Sequence, residues 1–370
     1  MNYKNLRLIF ATITLLLVVM LSFSAFSSTP SSSCTGYKTY SQGGWGNPTN
    51  TQGLYLSSNF STVFPNGITL GSSTNYLKFN SASAVAAFLP AGGTPAKIGT
   101  VTLTNPLTSS AGSLAGQVLA LMINAEIDAK ISNFAPANGK LYDLKVSKGI
   151  FIDYTVKELI DEANAFLAGK STSYSASDLT TTIANVIMSY HEGEMAEDED
   201  NYLVCPIKYT PAITNNLCNG DAKGKIELTN ITGGYGANYT YSWSNSTSTN
   251  PVNNLSAGTY YLTIYAQVGT NKYITRKDTF VITEPTLLTA TSEATTILCN
   301  GGDATVTVSG NGGTAPYTGT GEFTVKAGTH EYTVTDANGC STTTSITITE
   351  PTLLTATSEA TTILCNGGDA

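Results

Sequence analysis

Hydrophobic residues return along this chain at two different periods. Between Thr155 and Tyr190 the period is helical. Val156, Leu159, Ile160, Ala163, Phe166 and Leu167 share one face, and Leu179, Ile183, Val186, Ile187 and Tyr190 share another. The first run opens on Thr155-Val156-Lys157-Glu158, a capping box in which the Thr hydroxyl and Glu carboxylate satisfy backbone N–H groups at a helix start. The second helix is expected over about residues 179–190, and a third, less sharp one over about 114–131. Extended pieces at Tyr76–Phe79, 101–103 and 141–146 lie between them. Beyond about residue 212 the period falls to two. Residues 305–309 read TVTVS, 332–335 YTVT and 345–349 SITIT. Tyr239, Tyr241 and Trp243 fall on one strand face with Thr240 and Ser242 on the other, and residues 258–265 form another strand. Turns such as Gly310-Asn311-Gly312-Gly313 and Asn338-Gly339 separate the strands. These patterns predict an α+β N-terminal domain followed by all-β immunoglobulin-like sandwich repeats.

The repeats are visible as letters. The segment EPTLLTATSEATTILCNGGDA at residues 284–304 recurs unchanged at 350–370, 66 residues on. A diverged copy opens with LCNGDAKGKIEL at 217–228 and closes with VITEP at 281–285. Repeats of this length are each a small domain, and a run of them makes an array. The expected organisation is a signal peptide at 1–27, a mixed α/β N-terminal domain at 28–204 and a linker at 205–211. Two β-sandwich repeats follow at 212–285 and 286–351, then the truncated start of a third at 352–370. Such a start lacks most of the strands needed to bury a core, so the sequence is expected to be a fragment of a longer protein.

The N-terminus sets the compartment. Lys4 and Arg7 precede an apolar run at 8–21, and small residues follow at 22–27, with Ala25 and Ser27 suited to a cleavage site. That is the three-part pattern of a secretory signal peptide, and no second apolar run of spanning length follows it. Charged residues make up only 12% of the chain, about half the usual share. The net charge is −8, and Arg276 is the only arginine after Arg7, which argues against a nucleic-acid partner.

Six cysteines in an exported chain point to disulfides. None is spaced C-x-x-C and no histidine accompanies a pair, so no cysteine metal site is expected. Cys299 and Cys340 open and nearly close one repeat. A bridge between them would add roughly 4 kcal/mol, and it is the predicted disulfide. The first copy has no equivalent of Cys340, so Cys218 needs another partner. Cys205 is the near candidate, while Cys34 with Cys205, bracketing the N-terminal domain, competes for the same thiol.

Catalytic constellations are missing from the pattern. His191-Glu192 closes the second helix, but Met195 stands where a zinc site needs its second histidine, and the other histidine, His330, lies in a repeat. The run Glu192, Glu194, Glu197, Asp198, Glu199 and Asp200 lacks the Asp/Asn alternation and glycine of a calcium loop and reads as a solvated segment. Asp303 and Asp336 read as turn residues. No serine sits in a G-x-S-x-G elbow, and carboxylate pairs for glycoside hydrolysis are not readable from spacing. No catalytic, metal or cofactor residue is assigned. Trp243 is expected in the core. Trp45, in Gly43-Gly44-Trp45-Gly46, either packs inside or presents its ring to a ligand.

Three elements of the repeat carry a family resemblance: Cys299-Asn300-Gly301-Gly302-Asp303-Ala304, Ala327-Gly328-Thr329, and residues 333–340, which end in Asp336-Ala337-Asn338-Gly339-Cys340. With the closing residues 346–351 they make it similar to the SprB repeat of bacterial gliding-motility adhesins. The resemblance covers about residues 212–370. The first copy departs from it, with an insertion and no Asp-Ala-Asn-Gly-Cys element. The N-terminal domain, with Gly43-Gly44-Trp45-Gly46, Phe88-Leu89-Pro90 and Leu114-Ala115-Gly116-Gln117, looks like a module that opens similar secreted repeat proteins. The resemblance implies export past the outer membrane by type IX secretion, a C-terminal sorting domain beyond Ala370, and a role in surface adhesion or gliding. The expected function is adhesion or surface display, with surface polysaccharide as a candidate ligand and no enzyme activity. A purely structural surface-layer or filament component, or a polysaccharide-active enzyme with accessory repeats, are the alternatives.

Overall fold

The computed structural model describes residues 34–137, 139–170, 172–196, 200–234 and 238–362. The expected signal peptide, the acidic residues Glu197, Asp198 and Glu199, and Cys365 lie outside the described residues. The chain begins with helices and short strands: α1 (Gln42–Gly46), α2 (Thr51–Val63), β1 (Ile68–Gly71), β2 (Tyr76–Phe79), α3 (Ala82–Phe88) and β3 (Thr102–Thr104). Then come α4 (Gly112–Lys130), β4 (Lys145–Val146), α5 (Val156–Leu167), α6 (Ala176–Met188) and β5 (Leu203–Val204). It continues as strands: β6 (Lys208–Thr214), β7 (Gly224–Thr232), β8 (Tyr239–Trp243), β9 (Val252–Leu255), β10 (Gly258–Gly269) and β11 (Lys272–Ile282). The last group is β12 (Thr289–Ala294), β13 (Ala304–Asn311), β14 (Gly321–Val325), β15 (Gly328–Thr335) and β16 (Ser341–Ile348). A mixed helical and β region is thus followed by a β-rich remainder in sheets of two or three strands.

Two compact units share these elements. One takes the described residues up to Thr210 with Asn230–Ser242 and Leu262–Asp278. The other takes Pro211–Thr229, Trp243–Tyr261 and the residues from Thr279 on.

In the first unit the helix starts are chemically marked. Thr155 and Glu158 form the expected capping box at α5. Helix α6 starts at Ala176, earlier than the apolar spacing indicates, because Ser175 and Asp178 make a second capping box. Helix α4 is apolar nearly all round and is buried accordingly, with Leu114, Val118, Leu119, Leu121, Ile123 and Ile127 all inaccessible to solvent. Strand β1 pairs antiparallel with β2, which pairs parallel with β3. The piece at 141–146, expected to be extended, begins instead as a 3-10 turn at Leu141–Asp143, where Leu141 N donates to Asp128 Oδ2 of α4 at 2.6 Å. A disulfide joins Cys34 to Cys205 with a Cα separation of 5.4 Å and closes a loop of 171 residues. The Tyr190 hydroxyl donates to Cys34 O at 2.8 Å beside it.

In the second unit β13 alternates as its letters imply: Val306 and Val308 face in while Thr307 and Ser309 face out. It lies between β12 and β14, both antiparallel, and β15 and β16 form a hairpin paired from Gly328↔Ile348 to Thr335↔Ser341. Leu288, Ile297, Ala304, Val306, Val308, Val334 and Ile348 make the core between them. Trp243 is buried, as expected, with its ring 5.7 Å from that of Phe280 and its indole N–H on Thr249 O. Residues 352–362 take no regular structure and are exposed throughout.

Candidate functional site

Trp45 decides whether the N-terminal domain displays an aromatic ring. Ser41 caps α1, and the helix turns the indole inward until none of it is exposed. Its Nε1 donates to Asn124 Oδ1 at 3.2 Å. Asn124, fully buried on α4, also accepts from Tyr40 N at 2.8 Å and donates to Tyr40 O at 2.9 Å. The Tyr40 ring meets the indole edge-on at 5.2 Å, and Phe134 stacks at 6.4 Å. The reading of Trp45 as a ligand contact is therefore corrected: its polar atom is satisfied internally and its faces are covered.

The glycines beside it have a packing reason. A Cβ on Gly46 would lie 2.4 Å from Leu89 O, and one on Gly116 would lie 2.0 Å from Gln42 Oε1. Gln42 Oε1 accepts from Ala91 N at 2.9 Å. The three motifs of the N-terminal domain, far apart in sequence, thus meet at one place, with Gly46 against the Leu89 backbone and Gly116 against the Gln42 side chain.

His191 lies in a bridge to Thr39, and Glu192 N donates to Thr39 O. Asp128 was not singled out by sequence. Burial raises its pKa, with neighbouring Asp143 adding to the effect, while the bond from Leu141 N acts the other way. Arg276 donates to Asp278 Oδ2 at 2.6 Å and to Ile207 O at 2.9 Å and lies 4.3 Å over the Tyr209 ring, whose hydroxyl also donates to Asp278. Among the described residues no group of three or more His, Cys, Asp or Glu side chains is placed to hold a metal ion.

The cysteines of the repeats assemble differently from expectation. Cys340 is bonded to Cys218, with Cα atoms 5.7 Å apart, and Cys299 is free and exposed. The predicted Cys299–Cys340 bridge is thus corrected, and hairpin geometry supplies the reason. Cys340 follows the turn at the Thr335↔Ser341 end of β15 and β16. Cys299 lies at the other end, where Gly301 N donates to Glu350 and Gly301 O accepts from Lys326 Nζ. Eight strand positions separate those ends by more than about 20 Å, beyond any disulfide.

Asp336 shapes the turn that presents Cys340. Its Oδ1 accepts from Asn338 N and Cys340 N, each at 2.9 Å, and its Oδ2 accepts from Thr314 N at 2.9 Å. Desolvation alone would raise its pKa, but the backbone donors at Thr314, Cys340, Asn338 and Gly339 hold it below the ordinary carboxylate value. Asn338 Nδ2 reaches Leu217 O at 2.9 Å. Between Cys218, Pro285, Leu287, Asp336 and Cys340 lies an open cleft of about 240 Å³. No reactive constellation faces it. The arrangement is a covalent junction between the start of one repeat and the far turn of the next.

Residues 210–248 match the family model of the SprB repeat. The match falls on the first, diverged copy, while the motif residues that suggested the resemblance lie mainly in the second. No curated protein matches the sequence. The segment from strand β6 through β8 is therefore similar to the SprB repeat.

Proposed function

We propose that this protein is secreted and acts at the cell surface in adhesion or display, with the N-terminal domain at residues 28–204 borne on immunoglobulin-like sandwich repeats. The SprB match at 210–248 is the observation that carries this reading, because repeats of that name occur in gliding-motility adhesins. Two disulfides fit an oxidising compartment. Among the described residues no helix is long and apolar enough to cross a membrane. In this reading residues 1–27 direct export, and a type IX system completes it. The N-terminal domain meets a surface ligand such as polysaccharide, and the repeats space it outward by up to about 30 Å each. The protein catalyses no reaction.

Glycan arrays and bead-adhesion assays test this with the purified chain, residues 28–204, and the repeats from 205 on. Binding by the whole chain and by 28–204 is expected. Binding confined to the repeats reverses the assignment of roles. Ordered assembly without any ligand points to a structural layer, and turnover of a polysaccharide points to an enzyme.

A further inference from the structure

The two repeats begin with the same clip. In the first, Asn219 Nδ2 donates to Pro285 O at 3.1 Å and Gly220 N to Glu284 Oε2 at 2.8 Å. In the second, Asn300 Nδ2 donates to Pro351 O at 3.0 Å and Gly301 N to Glu350 Oε2 at 2.6 Å. Each Cys-Asn-Gly turn is thus fastened to the Glu-Pro pair that closes its own repeat, so Cys218 and Cys299 occupy equivalent points. Cys218 is bonded to the cysteine that ends the Asp-Ala-Asn-Gly-Cys turn of the following repeat. Cys299, in the same setting, is a free thiol, and Leu298 before it is 84% exposed.

An independent observation concerns the identical segments. Leu288 is 6% exposed in the core of the second repeat, and its counterpart Leu354 is 94% exposed. Thr289–Ala294 is strand β12, paired along β13, whereas the same letters at 355–360 take no regular structure. The sequence is the same, so the difference lies in the partner: a strand forms only where a neighbour takes its backbone hydrogen bonds. An unburied core leucine, an unpaired strand sequence and an available thiol thus occur together at the end of the second repeat.

We propose that Cys299 is the docking thiol for a further repeat of this type. Residues 350–362 supply the first strand of that repeat, and the cysteine of its own Asp-Ala-Asn-Gly-Cys turn bonds Cys299. Each junction of the array is then covalently stapled, from the opening of one repeat to the far turn of the next. In the closing step two thiols give up two protons and two electrons to an oxidant of the disulfide class, which leaves as two thiols while one S–S bond forms. The inference is independent of whether the protein adheres to anything.

The test lengthens the full chain after Ala370 with a second copy of residues 305–351, completing the repeat that 350–370 begins. The protein is oxidised with glutathione disulfide, alkylated and digested without reduction. The expected peptide map links Cys299 to the added cysteine, with Cys299 at least tenfold less alkylated than in the 370-residue chain. A link from the added cysteine to Cys365, or an equally reactive Cys299, overturns the proposal. A version with serine at the added cysteine reports, by cooperative unfolding, whether the added repeat folds without the bridge. A repeat that fails to fold in both versions also overturns it, because 350–370 would then not begin a module.

Discussion

Around α4 the N-terminal region buries side chains in depth, from Trp45 and Leu56 through Leu119 to Ile183, with Asn124 satisfied at the centre. The second repeat has one thin layer between small sheets, led by Val306, Val308 and Val334. The first joins that packing to a disulfide, Cys34–Cys205, across its own ends. The second cannot bury enough apolar surface for its size, and it leans on a carboxylate that organises a turn and on a disulfide to its neighbour. The difference suggests where each region is vulnerable: one in its core, the other at its junctions.

Replacing both Cys218 and Cys340 by serine should have the largest effect. On the chain-entropy estimate for the 122-residue loop, it removes about 5 kcal/mol. Denaturant titration should show the repeats unfolding early while the helical region keeps its transition. A single unshifted transition would erase the contrast between the regions. Next comes Asn124→Leu, which leaves the Trp45 indole N–H and both backbone groups of Tyr40 unpaired in the core. About 3 kcal/mol should be lost from the N-terminal region, with no change in the repeats. A loss shared by both would mean that the two regions unfold together. Thr155→Ala, which removes half of a capping box, should cost about 1 kcal/mol by the same measurement.

Acid should separate the regions by sign. The folded-state pKa of Asp336 is lowered, so its stabilisation is complete above the unfolded-state value, about 3.9, and is lost as pH falls through the lowered one. That of Asp128 is raised, so its contribution is favourable in acid and is lost as pH rises from the unfolded value through the raised one. Asp336→Asn should therefore flatten the acid loss of the repeats, and Asp128→Asn should lift the N-terminal region at neutral pH. Unfolding midpoints followed between acid and neutral pH check both, and the same sign for the two variants would refute the comparison.

The contrast was partly legible beforehand. Helix α5 announced itself by Thr155-Glu158 and its apolar face, and β13 by TVTVS, because each signal is local. Helices α1, α2 and α3 stayed hidden. Their sequences are rich in Gly, Ser and Ala, and their ends are fixed by the lone caps Ser41, Asn50 and Ser81. The meeting of Gly46 with Leu89 and of Gly116 with Gln42 depends on three distant segments, so no periodicity encodes it. Cysteine spacing identified which thiols bound a repeat. It did not reveal that Cys299 and Cys340 sit at opposite ends of a hairpin, which follows from strand register.

Non-reducing peptide mapping of the 370-residue chain is the most direct check that covalent links run from repeat to repeat. The expected result is Cys218 joined to Cys340, Cys34 joined to Cys205, and Cys299 recovered alkylated. A Cys299–Cys340 peptide, with Cys218 alkylated, would contradict it.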